Sequence, residues 1–285
     1  MQNIVGIDIG GSHITLAQVD AIEKKIISET YIRKHVDSFE NKEIIISSWV
    51  DAIEKCAENL DKKSLILGIA MPGPFNYKEG ISLMQQGKFL DLFNVNIKLE
   101  LAQRLSISTS QIFFLNDAAA FLEGEIFGGC VQNEKSVFAI TLGTGLGTTF
   151  YNGKEASDED LWDSPFKNSI SEDYLATRWF VNRYFELTQK EISGTLDLLN
   201  KEKDIQTKIF GEYADALSDF IVKYVKDYQP EALVLGGNIA KAYPYFSDRF
   251  LNNLSAQGIE IPVKISAIFE DAAILGAASY ALKNS

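Results

Sequence analysis

The sequence predicts an α/β protein built from two related halves, and three observations carry that prediction. Apolar strand runs alternate with amphipathic helix patterns along all 285 residues. Three of the runs end on glycine clusters: Gly10-Gly11, Gly143 to Gly147 and Gly236-Gly237. IDIGGSHITL at 7–16 also matches ITLGTGLGTT at 140–149, with the glycine turn at the same offset. That match reads as an ancient duplication of one strand–turn–strand unit. Length divided by ~150 gives the same prior of about two domains. No linker or low-complexity segment separates the halves, so close-packed lobes with a cleft are expected.

Residues 2–9 read as a buried strand, and 14–20 and 25–33 as two more, which together make an antiparallel meander. A helix is predicted near 40–61, with Ile44, Ile45, Trp49, Ile53 and Cys56 at three-to-four spacing. The strand 64–70 is broken by Met71-Pro72-Gly73-Pro74. A helix near 96–106 leads to the strand 111–115, then Asn116-Asp117 open a helix over 118–127. The pattern restarts with strands at 136–142 and 148–151. Long helices follow at 170–188 and about 203–227, then a strand at 231–235, a helix opening after Gly236-Gly237-Asn238, a strand at 261–267 and a closing helix at 272–283.

Composition removes several function classes. Lys plus Arg is 27 and Asp plus Glu is 39, a net charge of −12, which argues against nucleic acid and anionic membrane surfaces as partners. Cys56, Cys130, His13 and His35 are too scattered for a disulfide framework or a Cys/His zinc site, and so few cysteines fit a reducing cytoplasm. The N-terminus lacks a basic region and Asp8 interrupts its apolar stretch, so no signal peptide is expected. No run of 18 or more apolar residues occurs to span a bilayer.

The chemistry lies in the glycines and the carboxylates beside them. Glycine lets backbone N–H groups approach an anion with no side chain in the way. An acidic protein that holds a polyphosphate would use such donors and a metal ion. Ordinary hairpin turns are the bland alternative for any one cluster. The chain lacks G-x-x-x-x-G-K-[ST], and Gly143-Thr144-Gly145-Leu146-Gly147 leads into strand-like TTFY rather than a helix, so neither a P-loop nor a Rossmann fingerprint is present. Asp8, two residues before Gly10, can reach a Mg²⁺ whose other partners are phosphate oxygens and water; a surface turn residue is the alternative. Asp117 reads as a general base for a substrate hydroxyl or as a plain N-cap. Asn116 is the other candidate for the cap, and in that role it would leave Asp117 free.

On these residues the chain resembles the ROK sugar kinases of the actin/hexokinase/Hsp70 superfamily. The match is carried by IVGIDIGGSHITLAQVD at 4–20, MPGP at 71–74, LNDAAAFLEGE at 115–125, ITLGTGLGTTFYNGK at 140–154, LVLGGNIA at 233–240 and EDAAILGAA at 270–278. The resemblance implies two RNase H-like, actin-like ATPase lobes with sugar and ATP in the cleft. It places residues 1–115 with 272–285 in a smaller lobe and 116–271 in a larger one.

The resemblance implies a Mg²⁺-associated role for Asp8, a first phosphate loop at Gly10, Gly11 and Ser12, a second at Gly143, Thr144 and Gly145, and an adenosine loop at Gly236 and Gly237. It makes Asp117 the catalytic base and Asn116, Asn94 and Glu172 sugar contacts. The reaction implied is transfer of the ATP γ-phosphate to a hexose hydroxyl, the 6-OH, by a cytoplasmic homodimer.

Departures from the family are also legible. Many members carry a zinc site of one His and three Cys, whereas 155–171 here contains neither residue type, so no zinc is expected. The G-E-x-G-H segment is missing, with Asp160 and Asp163 as candidate substitutes, and the second Asn of N-D-A-N-A is Ala119. Leu161, Trp162, Pro165 and Phe166 are the apolar residues able to dock 155–171 against the helix near Ile170; a mobile loop is the alternative. Three rival readings stand beside the kinase: a catalytically silent sugar sensor, an actin-type structural protein, and a kinase using polyphosphate. Intact Asp8 and Asp117 disfavour the first, the short chain the second, and Gly236-Gly237 the third. Some family members are repressors with an N-terminal helix-turn-helix; this chain starts on the first strand, so that role is not expected.

Overall fold

IVGIDI is apolar on both faces, and in the structure every residue of Ile4–Ile9 is buried except the half-buried Asp8. Such a run suits a central strand covered on both sides. The structure is a computed structural model that describes residues 3–285; Met1 and Gln2, the latter counted in the first predicted strand, lie outside the described residues. Two compact units make up the chain, one running to Gln132 and resuming at Glu270–Ser285, the other spanning Asn133–Phe269. The sequence reading put the divide at 116. The helix that follows belongs to the first unit because it packs on the C-terminal helix.

In the first unit, β1 (Ile4–Ile9) pairs antiparallel with β2 (His13–Asp20). The predicted strand 25–33 is interrupted. Only β3 (Lys25–Ile26) and β4 (Ile32–His35) pair with β2, separated by a 3₁₀ turn at Ser28–Thr30 whose Thr30 hydroxyl accepts from Gln18 N. Helix α1 (Lys42–Cys56) is capped by the Asn41 side chain and buries Trp49 and Ile53, while Ile44 faces solvent. Then come β5 (Ile66–Met71), the small hairpin β6 (Phe75–Asn76) and β7 (Ile81–Ser82), α2 (Ile97–Leu105), β8 (Ile112–Asn116) and α3 (Asp117–Phe127). The sheet order is β3-β2-β1-β5-β8, with β1, β5 and β8 parallel and β4 sharing the outer edge of β2.

The second unit repeats this plan. It holds β9 (Val137–Leu142), β10 (Leu146–Tyr151) and β11 (Ala156–Asp158), the hairpin β12 (Pro165–Phe166) and β13 (Ser169–Ile170), and helices α4 (Ser171–Leu175), α5 (Thr177–Thr188), α6 (Thr195–Leu198) and α7 (Lys203–Phe220). It ends with β14 (Ala232–Gly236), α8 (Gly237–Ala240), α9 (Ser247–Ala256) and β15 (Val263–Ile265). Its sheet order, β11-β10-β9-β14-β15, mirrors that of the first unit, with an antiparallel hairpin followed by two parallel strands. The duplication seen in sequence is thus a duplication of topology. The helix predicted over 170–188 is two helices, broken at an extended Ala176. The helix predicted over 203–227 leaves α-geometry after Phe220 through a π turn, Ile221–Val225. A core of Phe138, Ile140, Phe180, Tyr213, Phe220 and Leu235 lies between sheet and helices.

The chain returns to the first unit as α10 (Asp271–Asn284). Here the packing is backbone on backbone. A Cβ at Gly6 of β1 would land on the carbonyl of Ile274, and one at Gly68 of β5 on that of Ala277. Gly124 of α3 faces the Ala272 carbonyl, and Gly276 of α10 faces that of Ala120. Glycines in strand and helix interiors cost conformational entropy, so their presence here reflects the close approach. Gly143, by contrast, has open space around it and an ordinary φ. Gly276→Val is therefore expected to destabilise the protein by roughly 3 kcal/mol or more, as overpacking against backbone cannot relax by a rotamer change. Gly143→Ala is expected to cost less than about 1 kcal/mol. Urea unfolding of the two variants checks the contrast.

Candidate active site

The parallel register of the first sheet aligns Asp8 with Ala70, Ala70 with Leu115, and Met71 with Asn116. Asp8, Asn116 and Asp117 therefore emerge at the same carboxyl end of the sheet, where open α/β sheets bind ligands. Burial is the main cause that pushes the Asp8 carboxyl up, to about 7, and the Asp117 carboxylate adds to it; Arg33 opposes and Glu270 reinforces. Arg33 and Glu270 pair with each other at 3.2 Å.

Asn116 settles the capping question. Its Oδ1 accepts from Ala118 N at 2.8 Å and Ala119 N at 3.1 Å, and its Nδ2 donates to the Tyr77 hydroxyl at 3.3 Å. The Tyr77 hydroxyl donates to Met71 O at 3.1 Å, tying the cap to the MPGP turn. Asp117 keeps one short bond, Ala118 N to its Oδ1 at 2.9 Å, and its carboxylate is otherwise open to solvent. Desolvation by the surrounding protein still raises its carboxyl above the usual range.

The β1–β2 turn is closed by Gly10 N donating to His13 O at 2.9 Å, and the Ser12 hydroxyl lies 3.0 Å from His13 Nδ1. A Cβ on Gly11 would fall on the side chain of Lys88. Asn94 sits at an exposed turn with φ 59°; its N–H donates to Ser82 O at 2.9 Å, and its side chain has no partner among the described residues.

In the second unit the β9–β10 turn is braced from outside. Gly143 N donates to Gly145 O at 3.1 Å, and Gly143 O accepts from both the N–H and the hydroxyl of Thr177, each at 2.8 Å. Leu146 N donates to Glu172 Oε2 at 3.0 Å, and Arg178 holds Glu172 Oε1 at 2.5 Å. A Cβ on Gly145 would come within 2.8 Å of Glu172 Oε2. Glu172 therefore fixes the second glycine loop. Thr144 is exposed on it. Gly236 pairs with Thr141, and Gly237, at φ 81°, would press any Cβ onto the Leu142 carbonyl. The second and third glycine clusters thus lie side by side at the carboxyl ends of two neighbouring parallel strands.

The segment 155–171 is ordered by hydrogen bonds and one aromatic anchor. Glu159 N donates to Thr148 O and Leu161 N to Thr148 Oγ1, and the Tyr228 hydroxyl donates to Glu159 at 2.6 Å. Phe166 is buried against Tyr174 and Phe220, and Leu161 packs on the same core. Trp162 departs from the docking expectation. It is 43 % exposed because its indole N–H turns to Asp160 at 2.7 Å. Pro165 is likewise exposed, offering its carbonyl to Lys223 and Tyr224. Asp163 is exposed, as is Asp160.

Residues 4–157, just over half of the chain, match the ROK family. The chain belongs to the ROK family. It is 24 % identical over 316 aligned residues to a glucokinase of Thermotoga maritima, covering 97 % of this chain and 96 % of that one. Among solved structures it resembles a glucokinase of Parabacteroides distasonis (TM-score 0.82, 16 % identity, 99 % and 98 % of the two chains). It also resembles a ROK family glucokinase of Streptomyces griseus in complex with glucose and AMPPNP (TM-score 0.76, 20 % identity, 98 % and 99 %). These likenesses bear out the α/β, actin-like ATPase fold. Among the described residues no helix is long and apolar enough to cross a membrane.

Sequence reasoning missed the supports: Lys88, Arg33, Thr177 and Tyr77. Tyr77 follows MPGP closely, but nothing in the local pattern marks the others.

The raised Asp8 carboxyl gives a signed pH dependence. The ligand-free native state holds a proton that the unfolded chain releases near 3.8, so stability falls as pH rises from about 4 to about 7 and levels off above. Asp8→Asn is expected to flatten that slope and to gain on the order of 1–2 kcal/mol over wild type at pH 8 relative to pH 5; urea midpoints at the two pH values measure it. For the 155–171 segment, Phe166→Ala is expected to cost about 3 kcal/mol and Trp162→Ala less than about 1 kcal/mol, read from thermal melts.

Proposed function

We propose that this chain is a carbohydrate kinase that transfers the γ-phosphoryl group of ATP to the 6-hydroxyl of a hexose. One observation carries the reading. Asn116 takes the helix cap and leaves the Asp117 carboxylate open at the sheet edge that also presents Asp8 and the Gly10–Ser12 turn. A free carboxylate with a raised pKa is a stronger proton acceptor once ionised, which suits general-base work.

In the reaction, Asp117 accepts the proton of the attacking hydroxyl. The new bond forms between that oxygen and Pγ as the bond from Pγ to the ADP oxygen breaks. Gly10, Gly11, Ser12, Gly143, Thr144 and Gly145 offer backbone N–H groups and hydroxyls to phosphate, and Gly236-Gly237 form the adenosine loop. Such loops position and stabilise rather than bond. Asp8 fits a magnesium ion. Among the described residues no three His, Cys, Asp or Glu side chains converge on a metal position, so the protein offers few oxygens and phosphate and water supply the rest, as Mg²⁺ prefers. When bound, that ion supplies positive charge at the phosphates. Asn116 and the unpartnered Asn94 are assigned to the sugar. Glu172 is assigned there too; its two hydrogen bonds use two of the carboxylate's roughly four acceptor sites.

Asp117→Asn keeps the shape and removes the proton acceptor. It is expected to lower kcat by roughly 10²–10⁴ with ATP affinity little changed. Coupled ADP release against a panel of hexoses, with the phosphorylated position read by NMR, tests the proposal. No turnover with any hexose, or turnover retained in Asp117→Asn, would overturn it.

A further inference from the structure

We propose that Lys88 is a phosphate-contacting residue, its ammonium serving the terminal phosphate held at the Gly10–Ser12 turn. The inference rests on the kinase reading for the identity of the phosphate and adds a residue to it.

The geometry begins at Gly11. Its missing side chain leaves space beside the turn, and the end of the Lys88 side chain, Cδ through Nζ, occupies that space. Any residue but glycine at 11 would displace it. Lys88 is delivered there by a fixed base. Phe89, next in the chain, is fully buried with a left-handed φ of 58°, a conformation uncommon for a bulky residue. Its ring meets Trp49 edge-on at 5.6 Å, and its N–H donates to Ser38 O at 2.9 Å. Backbone held in such a conformation persists only where the surroundings over-determine it, and such sites cluster at ligand clamps.

The charge is also uncommitted. Lys88 is exposed and forms no ion pair or hydrogen bond among the described residues, although the chain carries 39 acidic side chains to 27 basic ones. The five arginines are all paired with carboxylates, whereas other lysines such as Lys55 and Lys63 are unpaired like Lys88 among the described residues, so its place over the glycine turn is what singles it out. A cation laid over a glycine turn, with no protein anion to neutralise it, is matched in sign and reach to a phosphate oxygen bound by that turn. A lysine acts there as a movable point charge. Asp117 and Asp8 bring negative charge to the same sheet edge, and a positive group nearby offsets their repulsion of an incoming triphosphate.

Calorimetry of ATP and of inorganic tripolyphosphate with wild type, Lys88→Met and Lys88→Arg tests the inference, alongside steady-state kinetics. Lys88→Met is expected to weaken both ligands about tenfold or more and to lower kcat/KM for ATP on the order of 10²-fold. Lys88→Arg should restore most of the affinity, and the melting temperature should not move, because the side chain is exposed. Lys88→Met that binds tripolyphosphate like wild type overturns the inference. So does a wild type that binds no triphosphate, or an affinity loss that tracks a fallen melting temperature and is not rescued by arginine. Lys88-dependent triphosphate binding with no hexose turnover would instead overturn the kinase reading and leave this one standing.

Discussion

The first unit depends on how closely α10 lies against β1, β5 and α3. Side chains ordinarily stand between a helix and the sheet it covers. Here glycines at 6, 68, 124 and 276 remove them at four points, and carbonyls of α10 and α3 fill the space. The same β1 that carries Gly6 carries Asp8, and the same α3 that carries Gly124 opens with Asp117. A single C-terminal helix thus clamps together the two elements whose ends bear the candidate chemistry. Because the contact is between backbones, it has little rotamer freedom to absorb strain, and small displacements in it pass directly to the carboxylates.

What the sequence made legible follows from this. Strong period and punctuation gave β1, β2, α1, α3 and the two glycine hairpins, and the duplicated motif correctly implied duplicated topology. The failures occur where tertiary contacts override a local pattern. Residues 25–33 are apolar enough for one strand, yet Thr30 is taken by Gln18 N and the run breaks. Residues 170–188 carry helix periodicity throughout, but the N–H of Thr177 bonds to Gly143 O instead of continuing the helical ladder. Leu161, Trp162, Pro165 and Phe166 are equal candidates in the sequence to dock 155–171, yet Trp162 and Pro165 stay exposed. Phe166 is the one that is buried, since it can be covered without an N–H to satisfy.

The candidate site divides in the same way. Asp8, Asp117 and the glycines stand out because strand ends and turns are marked locally. The groups that hold them do not, since a supporting contact needs only to arrive in space. Glu172 shows the difference. The resemblance marks it as a sugar ligand, and its position shows it bracing Leu146 N beside Gly145. The two roles are compatible: a carboxylate fixed by a backbone N–H and an arginine is preoriented, and preorientation is what a ligand-binding group requires.

The two copies of the hairpin also show how duplication divides labour. Aligned on their glycines, Asp8 of the first copy corresponds to Thr141 of the second, and Gly11 to Thr144. In both copies the first turn glycine donates across the turn, Gly10 N to His13 O and Gly143 N to Gly145 O, the second turn being one residue shorter. The charge is not shared. On the proposals above, the Asp8 carboxylate beside the first turn is offset by a cation, whether a metal ion or Lys88. The second copy, with a neutral threonine in place of Asp8, needs no such cation. Its support is Thr177 and Glu172, which bond to the outside of the turn and leave Gly143 itself uncovered. On that reading, one ancestral turn has diverged into a charged version that takes a counter-charge and a neutral version that relies on backbone alone. On the same reading, that divergence accounts for an unpaired lysine placed over only one of the two glycine turns.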